Sequence, residues 1–170
     1  MRLLPRFFVT LALLWPLAAA ERAQAQALRF ATDSTAPIDV AAGLMVWQRA
    51  AGHAQLNKDA QMRQGPLTLS AQQLAIKFAD NGTAENIQAD GQVVLLSAAG
   101  DDSAPRHATA RQAFVDLARQ TIILTGDVTM TDGADAARQL SGARLSLDMV
   151  SGRARLTGDA DKPRARIELR

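Results

Sequence analysis

Apolar and polar residues alternate along most of the chain beyond its first 30 residues. The alternation is clearest in Leu67–Leu69, Leu74–Phe78, Val128–Thr131, Leu145–Asp148 and Ala165–Leu169. Because it directs every second side chain to the same face, it is typical of strands buried on one side. Glycines separate the segments at about the spacing of a strand plus a turn. The pattern therefore predicts an all-β domain of short strands.

An internal repeat underlies this pattern. Lys58–Gly65 aligns with Gly126–Gly133 and shares with it an Asp, a small apolar residue, a Met and the closing Gly. Two weaker copies lie further along the chain, and a period in this range is typical of stacked repeat units. The sequence predicts four repeats, whose aligned apolar positions, 32 to 35 residues apart, are Ala60, Val93, Val128 and Ala160.

Three connecting segments are less regular. Ser103–Arg119 is rich in Ala, Arg and Gln and is compatible with a helix by propensity, whereas the alternation of Phe114–Leu117 favours a strand. Asn81–Gly82 predicts a tight hairpin turn. Ala99–Pro105 predicts a longer surface loop.

The N-terminus has the organisation of an export signal. Arg2 and Arg6 precede an apolar run, Phe7–Ala20, and Ala25–Ala27 supplies small residues for cleavage. The run has 14 residues and contains Pro16, so it is shorter than the roughly 20 residues of a membrane-spanning helix. We expect a cleavable signal over 1–27 and one exported domain over 28–170, with an uncleaved membrane anchor as the alternative.

Removal of the signal changes the charge. It takes away three arginines and one glutamate, so that 16 basic and 16 acidic residues remain and the net charge falls from +2 to zero. Few aromatic residues remain either, so neither a basic stripe nor stacking platforms favour nucleic-acid binding. The chain has no cysteine, which excludes disulfides and thiolate zinc sites.

No motif for catalysis is present. Phosphate loops, nucleophile elbows and metalloprotease helices are all missing from the sequence, so we expect neither an enzyme nor a cofactor or metal. His53 and His107 are expected on the surface, and Asp101–Asp102 in a solvated loop. The Thr-Gly-Asp motif occurs at Thr125–Asp127 and again at Thr157–Asp159. It is interpreted as a turn, with Gly at positive φ and Asp bonded to its own backbone.

The apolar strand face is the remaining candidate site. Its inward residues are mostly Ala, Val, Leu, Ile and Met, slender side chains that leave room for a groove accepting acyl chains, with methionines adapting to their shape. The alternative is an ordinary filled core, which composition alone favours.

The chain also resembles a known family. Four segments resemble the OstA-like family of periplasmic lipopolysaccharide-transport proteins, and the LptA members most closely. They are Pro37–Val40, the Leu-x-Val element Leu44–Val46, Gly65–Phe78 and above all Leu117–Val128. The similarity extends from about Pro37 to Leu169, nearly the whole predicted mature domain.

The resemblance implies a slightly open, twisted β-jellyroll of about sixteen antiparallel strands. It implies a lipopolysaccharide-binding protein that shields lipid A acyl chains and bridges inner and outer membrane assemblies. Implied partners are LptC-like and LptD-like jellyrolls and further copies of the chain, joined through edges at Pro37–Ala41 and Arg164–Leu169. A membrane-anchored LptC-like component and a structural β-repeat protein without lipid are the alternatives.

Lipid A is then expected to contact the apolar positions predicted to face the interior. The resemblance places Ile38, Leu95, Val115 and Leu117 among them. The full predicted set is Ile38, Val40, Leu44, Val46, Met62, Leu69, Leu74, Ile76, Val93, Leu95, Val115, Leu117, Ile122, Leu124, Val128, Met130, Leu145 and Leu147.

Overall fold

The computed structural model of the protein describes residues 29–99, 105–132, 138–158 and 165–169. The predicted signal segment, Asp101–Asp102 and Ala160 lie outside the described residues. Those described form ten strands and one short 3-10 turn, Arg49–Ala51, and none of their helical segments is long and apolar enough to cross a membrane. The strands are β1 (Ile38–Ala41), β2 (Leu44–Gln48), β3 (His53–Gln64), β4 (Leu67–Phe78), β5 (Ala84–Ser97), β6 (Arg106–Asp116), β7 (Thr121–Asp132), β8 (Arg138–Asp148), β9 (Ala154–Thr157) and β10 (Arg166–Leu169).

All ten strands belong to one antiparallel sheet. Its order is β1-β3-β4-β5-β6-β7-β8-β10, with β2 also on the outer edge of β3 and β9 also on the outer edge of β8. The all-β prediction is confirmed. The expected sixteen strands in four repeats are not, because β3 to β8 each run unbroken for 11 to 14 residues. One repeat period covers a pair of long strands, β3–β4, β5–β6 or β7–β8.

A bulge lies near the middle of each odd-numbered long strand. At these points β3, β5 and β7 carry one more residue than the strands they pair with, and such an insertion bends the strand and increases its twist. Two consecutive residues take positive φ at each bulge, and the repeat's aligned apolar residue follows directly. The pairs are Lys58–Asp59, Gly91–Gln92 and Gly126–Asp127.

The Thr125–Asp127 motif is therefore not a turn between strands, as the sequence suggested. It lies inside β7, where Gly126 does take positive φ (81°). The carboxylate of Asp127 pairs with the Arg111 guanidinium on β6. Turn chemistry and bulge chemistry look alike in sequence because both need a left-handed backbone.

The bulges also determine the phase of the inward residues. In odd strands the last inward residue before the bulge and the first after it are four positions apart, as in Leu124 and Val128. In the partner strands the interval is three, as in Ala71 and Leu74. In the odd-numbered strands the inward residues therefore keep the same odd or even residue numbers on both sides of the bulge. In the even-numbered strands they change from odd to even residue numbers or the reverse.

The sheet is folded over on itself, so that the two ends of its long strands meet. We call the end with Gln64, Leu67, Ser97 and Arg106 the Gln64 end, and the end with Phe78, Ala84, Asp116 and Thr121 the Phe78 end. One cavity is lined by residues from both, and the buried apolar side chains form one core cluster. This arrangement encloses the inner face.

Two irregular segments are settled by pairing. Within Ser103–Arg119, β6 is a strand hydrogen-bonded on both sides to β5 and β7, because tertiary pairing outweighs helix propensity. The turn at Asn81–Gly82 is confirmed: the Ala79 and Thr83 backbones are bonded across it (2.8 Å), and Gly82 has a φ of 82°.

Candidate functional site

The inner face of the sheet is a set of apolar rows that cross the strands. Residues directly opposite in an antiparallel pair share a face, so the strand register defines each row. One row crosses seven strands as Leu56, Leu74, Ala89, Ala113, Leu124, Leu145 and Leu156. A second crosses them as Ala54, Ile76, Ile87, Val115, Ile122, Leu147 and Ala154.

Most predicted interior residues lie in this enclosed face. Thirteen are buried: Met62, Leu69, Leu74, Ile76, Val93, Leu95, Val115, Ile122, Leu124, Val128, Met130, Leu145 and Leu147. Ile38, Val40 and Leu117 are partly buried and pack against the core. Leu117 lies in the turn after β6 and not in a strand.

Leu44 and Val46 were assigned to the wrong face of β2. They pair with Asn57 and Gln55 on the outer side of β3 and are 46% and 41% exposed. Their neighbours Met45 and Trp47 share the inward face instead. A shift of one residue moves a whole strand to the opposite face, and only the pairing with β3 determines which set points inward.

Several interior residues were missed. Leu56 lies four positions before Ala60, across the bulge of β3. Ala89 lies four positions before Val93, across the bulge of β5, and Ile87 continues the alternation from Ala89. Counting four positions across each bulge would therefore have found both Leu56 and Ile87. Phe30 is 3% exposed and joins the core from outside any strand, and no periodic signal marks it. Small inward alanines, which lack a hydrophobic signature, make up much of the remainder.

The interior carries no charged side chain among the described residues classed as buried, where only Gln64 and Ser97 are polar. The described His53 and His107 lie near strand ends, partly exposed, and no group of three metal-binding side chains occurs in this part of the chain. An apolar ligand is the kind that such a face can accept without burying an unpaired charge.

Shifted pKa values occur at the surface. Hydrogen bonds from Thr35 hold the pKa of Asp33 below its usual value, and bonds from the Ser151 backbone and hydroxyl do the same for the pKa of Asp148. The Glu85 carboxylate accepts a hydrogen bond from the Lys77 ammonium at 2.9 Å and raises the pKa of Lys77. These groups stabilise turns and a strand pair; none faces the inner rows.

A cavity open to the surface, which we call the mouth, lies where the two strand ends meet. Ile38 and Gln64 line it from the Gln64 end, and Ala84, Leu117 and Met149 line it from the Phe78 end. The cavity measures about 580 Å³. Two predicted lipid contacts, Ile38 and Leu117, thus meet at one opening although they are far apart in sequence.

Both outer edges of the sheet are short strands. β1 and β2 lie end to end along the outer edge of β3, and β9 and β10 lie end to end along the outer edge of β8. β2 is exposed at every position, including Trp47 at 60%. The Trp47 ring lies 5.8 Å from the ring of Phe78, and the Arg49 guanidinium lies 5.3 Å from the Trp47 ring centre.

A sequence profile described as "LptA/(LptD N-terminal domain) LPS transport protein" matches residues 39–153, about two thirds of the chain. The chain belongs to this family of LptA-like lipopolysaccharide-transport proteins. The matched residues extend from β1 into the turn before β9, so they include all six long strands that build the inner face.

A solved structure shares the fold of this LptA-like chain. It is that of LptH from Pseudomonas aeruginosa, described as the LptA-homologous periplasmic component of the conserved lipopolysaccharide transport device. The TM-score is 0.68 at 16% sequence identity, over 82% of this chain and 99% of LptH. No curated protein matches the chain.

Proposed function

We propose that this protein is a periplasmic, non-enzymatic carrier that binds lipopolysaccharide and shields the lipid A acyl chains in its interior. The observation that carries the proposal is the pair of uncharged apolar rows that cross the folded sheet from β3 to β9. Membership of an LptA-like transport family names the lipid that such a face would serve.

The energetics explain why a carrier needs this face. Burying a methylene group is worth about 0.8 kcal/mol, so an acyl chain of about a dozen carbons exposed to water would lose roughly 10 kcal/mol. Leucine, methionine and alanine side chains replace that water with apolar contacts. We infer that acyl chains enter at the mouth, which Ile38 and Leu117 line.

Photo-crosslinking in cells tests this function. A crosslinker at Ile38 or Leu117 should capture lipopolysaccharide, because both side chains line the mouth. The matched controls are Asp39, an exposed neighbour of Ile38, and Thr129, predicted to face outward on β7. Labelling at the controls but never at the mouth would contradict the proposal. Absence of lipopolysaccharide from all four positions would favour a structural β-repeat protein.

We further propose that the sheet edges join the protein to LptC-like and LptD-like partners and to further copies, forming a bridge between the membranes. Unpaired strand edges are templates for strand addition, and β1 and β10 lie at opposite ends of the strand order. If each of the six long strands were counted as two segments about its midpoint, these segments and the four short strands would make up the sixteen strands of the jellyroll that the resemblance implies.

Proline at the C-terminal edge tests the bridge. Ile167→Pro removes a backbone donor from β10, and loss of one or more hydrogen bonds should weaken end-to-end association on the order of tenfold in light scattering or ultracentrifugation. Ala165→Pro, which lies outside the β10 ladder, is the matched control. Unchanged association in the Ile167 variant would contradict an edge role for β10.

The expected export signal has its own test. Sequencing the N-terminus of protein recovered from the periplasm should give a start near Leu28. Retention of Met1 would favour the membrane-anchored, LptC-like alternative.

A further inference from the structure

The segment Arg29–Ala36, which we call the strap, crosses the seam between the two strand ends. On one side the Phe30 backbone N–H donates to the Gly152 carbonyl, which lies beyond β8 past the Phe78 end (2.7 Å). On the other side the Ala31 N–H donates to the Ser97 hydroxyl at the Gln64 end (2.9 Å), and that hydroxyl donates to the Ala31 carbonyl (3.1 Å). The strap therefore holds the folded sheet closed.

Side chains at the Gln64 end are specialised for the strap. The Gln64 amide donates to the carbonyls of Ser34 (3.2 Å) and Ala36 (3.1 Å). Gln64 and Ser97 are the two buried polar residues in the described part of the chain. Both donate to strap carbonyls, so these two buried side chains hold this segment.

Two glycines allow the strap to lie close. A Cβ at Gly152 would lie 2.2 Å from the Phe30 carbonyl oxygen, and a Cβ at Gly65 would lie 2.8 Å from the Asp33 Cβ. Both glycines also have positive φ, 67° and 53°. Larger residues at either position would lift the strap from the seam.

Phe30 fills the interior beneath the strap. Its ring is 3% exposed, belongs to the core cluster, and lies 5.9 Å from the Arg106 guanidinium. The other inner residues are already packed, many at 0% exposure, so an entering acyl chain needs a group that can leave. The strap is held by a few bonds, whereas each long strand is paired along both edges. Segments with few backbone bonds open first.

We propose that the position of Phe30 is an acyl-binding subsite that the strap closes, and that the strap leaves when an acyl chain enters. This inference rests on the proposed lipid-carrier function. Methylene groups replace the apolar contacts of the Phe30 ring. The freed donors of Gln64 and Ser97, which bind backbone carbonyls in the closed form, would bind the ester or amide carbonyl at the head of the chain. The ligand class is thus a lipid whose acyl chain is linked through an ester or amide.

Affinity measurements test the displacement. If only the open molecules bind lipid, the apparent affinity equals the intrinsic affinity multiplied by the fraction of molecules that are open. Phe30→Ala should therefore bind purified lipopolysaccharide about three- to tenfold more tightly, although its melting temperature should fall. Phe30→Leu keeps an apolar group of similar size and should bind within about twofold of the parent. A purely structural role for Phe30 predicts weaker or unchanged binding in the alanine variant, which would overturn the inference.

A spin label follows the strap directly and does not depend on the stability of the Phe30 variants. The chain has no cysteine, so Thr35→Cys labels the exposed strap and Gln55→Cys labels an exposed site on β3 as the control. Lipopolysaccharide should mobilise the label at position 35 and leave that at position 55 unchanged. Binding of lipopolysaccharide with an immobile strap label overturns the strap inference alone. Absence of binding to the parent protein overturns the proposed carrier function and this inference with it.

Discussion

The interior and the β2 edge use the same kinds of side chain in different surroundings. Leu74 and Leu124 are fully buried between neighbouring strands. Leu44 and Trp47 lie on an edge strand whose inward and outward faces are both apolar and both exposed. Apolar sequence alone does not separate a buried core strand from an exposed edge strand.

Among the described strands β2 pairs only with β3, so its other edge bears on the strand addition proposed above. A bilayer leaves the free N–H and C=O groups of an open edge unsatisfied, whereas an added strand pairs with them and covers both faces. The β2 edge is therefore suited to strand addition. The N-terminal edge includes β2 as well as β1, which the sequence indicated.

The largest expected effect is on stability. Leu124→Ala should lower the free energy of unfolding by about 2–5 kcal/mol, because it leaves a cavity in a packed row. Leu44→Ala removes the same atoms from an exposed site and should change it by about 0.5 kcal/mol or less. Urea unfolding of the monomer measures both, and equal losses would break the distinction between interior and edge.

A smaller effect is expected on association. Trp47→Ser should weaken end-to-end assembly about tenfold, since exposed aromatic anchors contribute strongly to interfaces, while unfolding of the monomer changes little. Val150→Ser removes an isolated apolar side chain that is 65% exposed, and it is the matched control. Sedimentation velocity at several concentrations compares them; similar effects of both changes would rule out a specific role for β2.

The smallest effect concerns pH, because no described side chain classed as buried is charged. Asp148 accepts bonds from the Ser151 backbone and hydroxyl in the turn after β8, which lower its pKa from 3.8. A carboxyl group whose pKa is lower in the folded state stabilises the protein at pH values above its unfolded pKa. That stabilisation is lost as the pH falls through the folded-state pKa. Asp148→Asn should therefore melt at a slightly lower temperature than the parent at pH 7.

That difference should disappear as the pH falls below 3.8, where the parent carboxylate becomes protonated. Thermal melts across this range check the sign. A difference that grows on acidification would show that Asp148 is not held by these bonds to its charged form.

Much of the site could be read from local pattern. Period-2 alternation identified thirteen residues that the structure buries, because a strand sends alternate side chains to one face whatever its neighbours are. The repeat positions Ala60, Val93 and Val128 also mark the bulges, since a left-handed backbone pair leaves a recurring local signature.

The sequence by itself determined the all-β class, the inward set of the long strands and the uncharged character of that face. Only the tertiary structure decided which side of β2 points inward, that the Thr-Gly-Asp motif bends a strand, and that the strap carries Phe30 into the core. These features depend on pairing between distant segments. Strand register and seam closure are properties of two elements together, so no local periodicity encodes them.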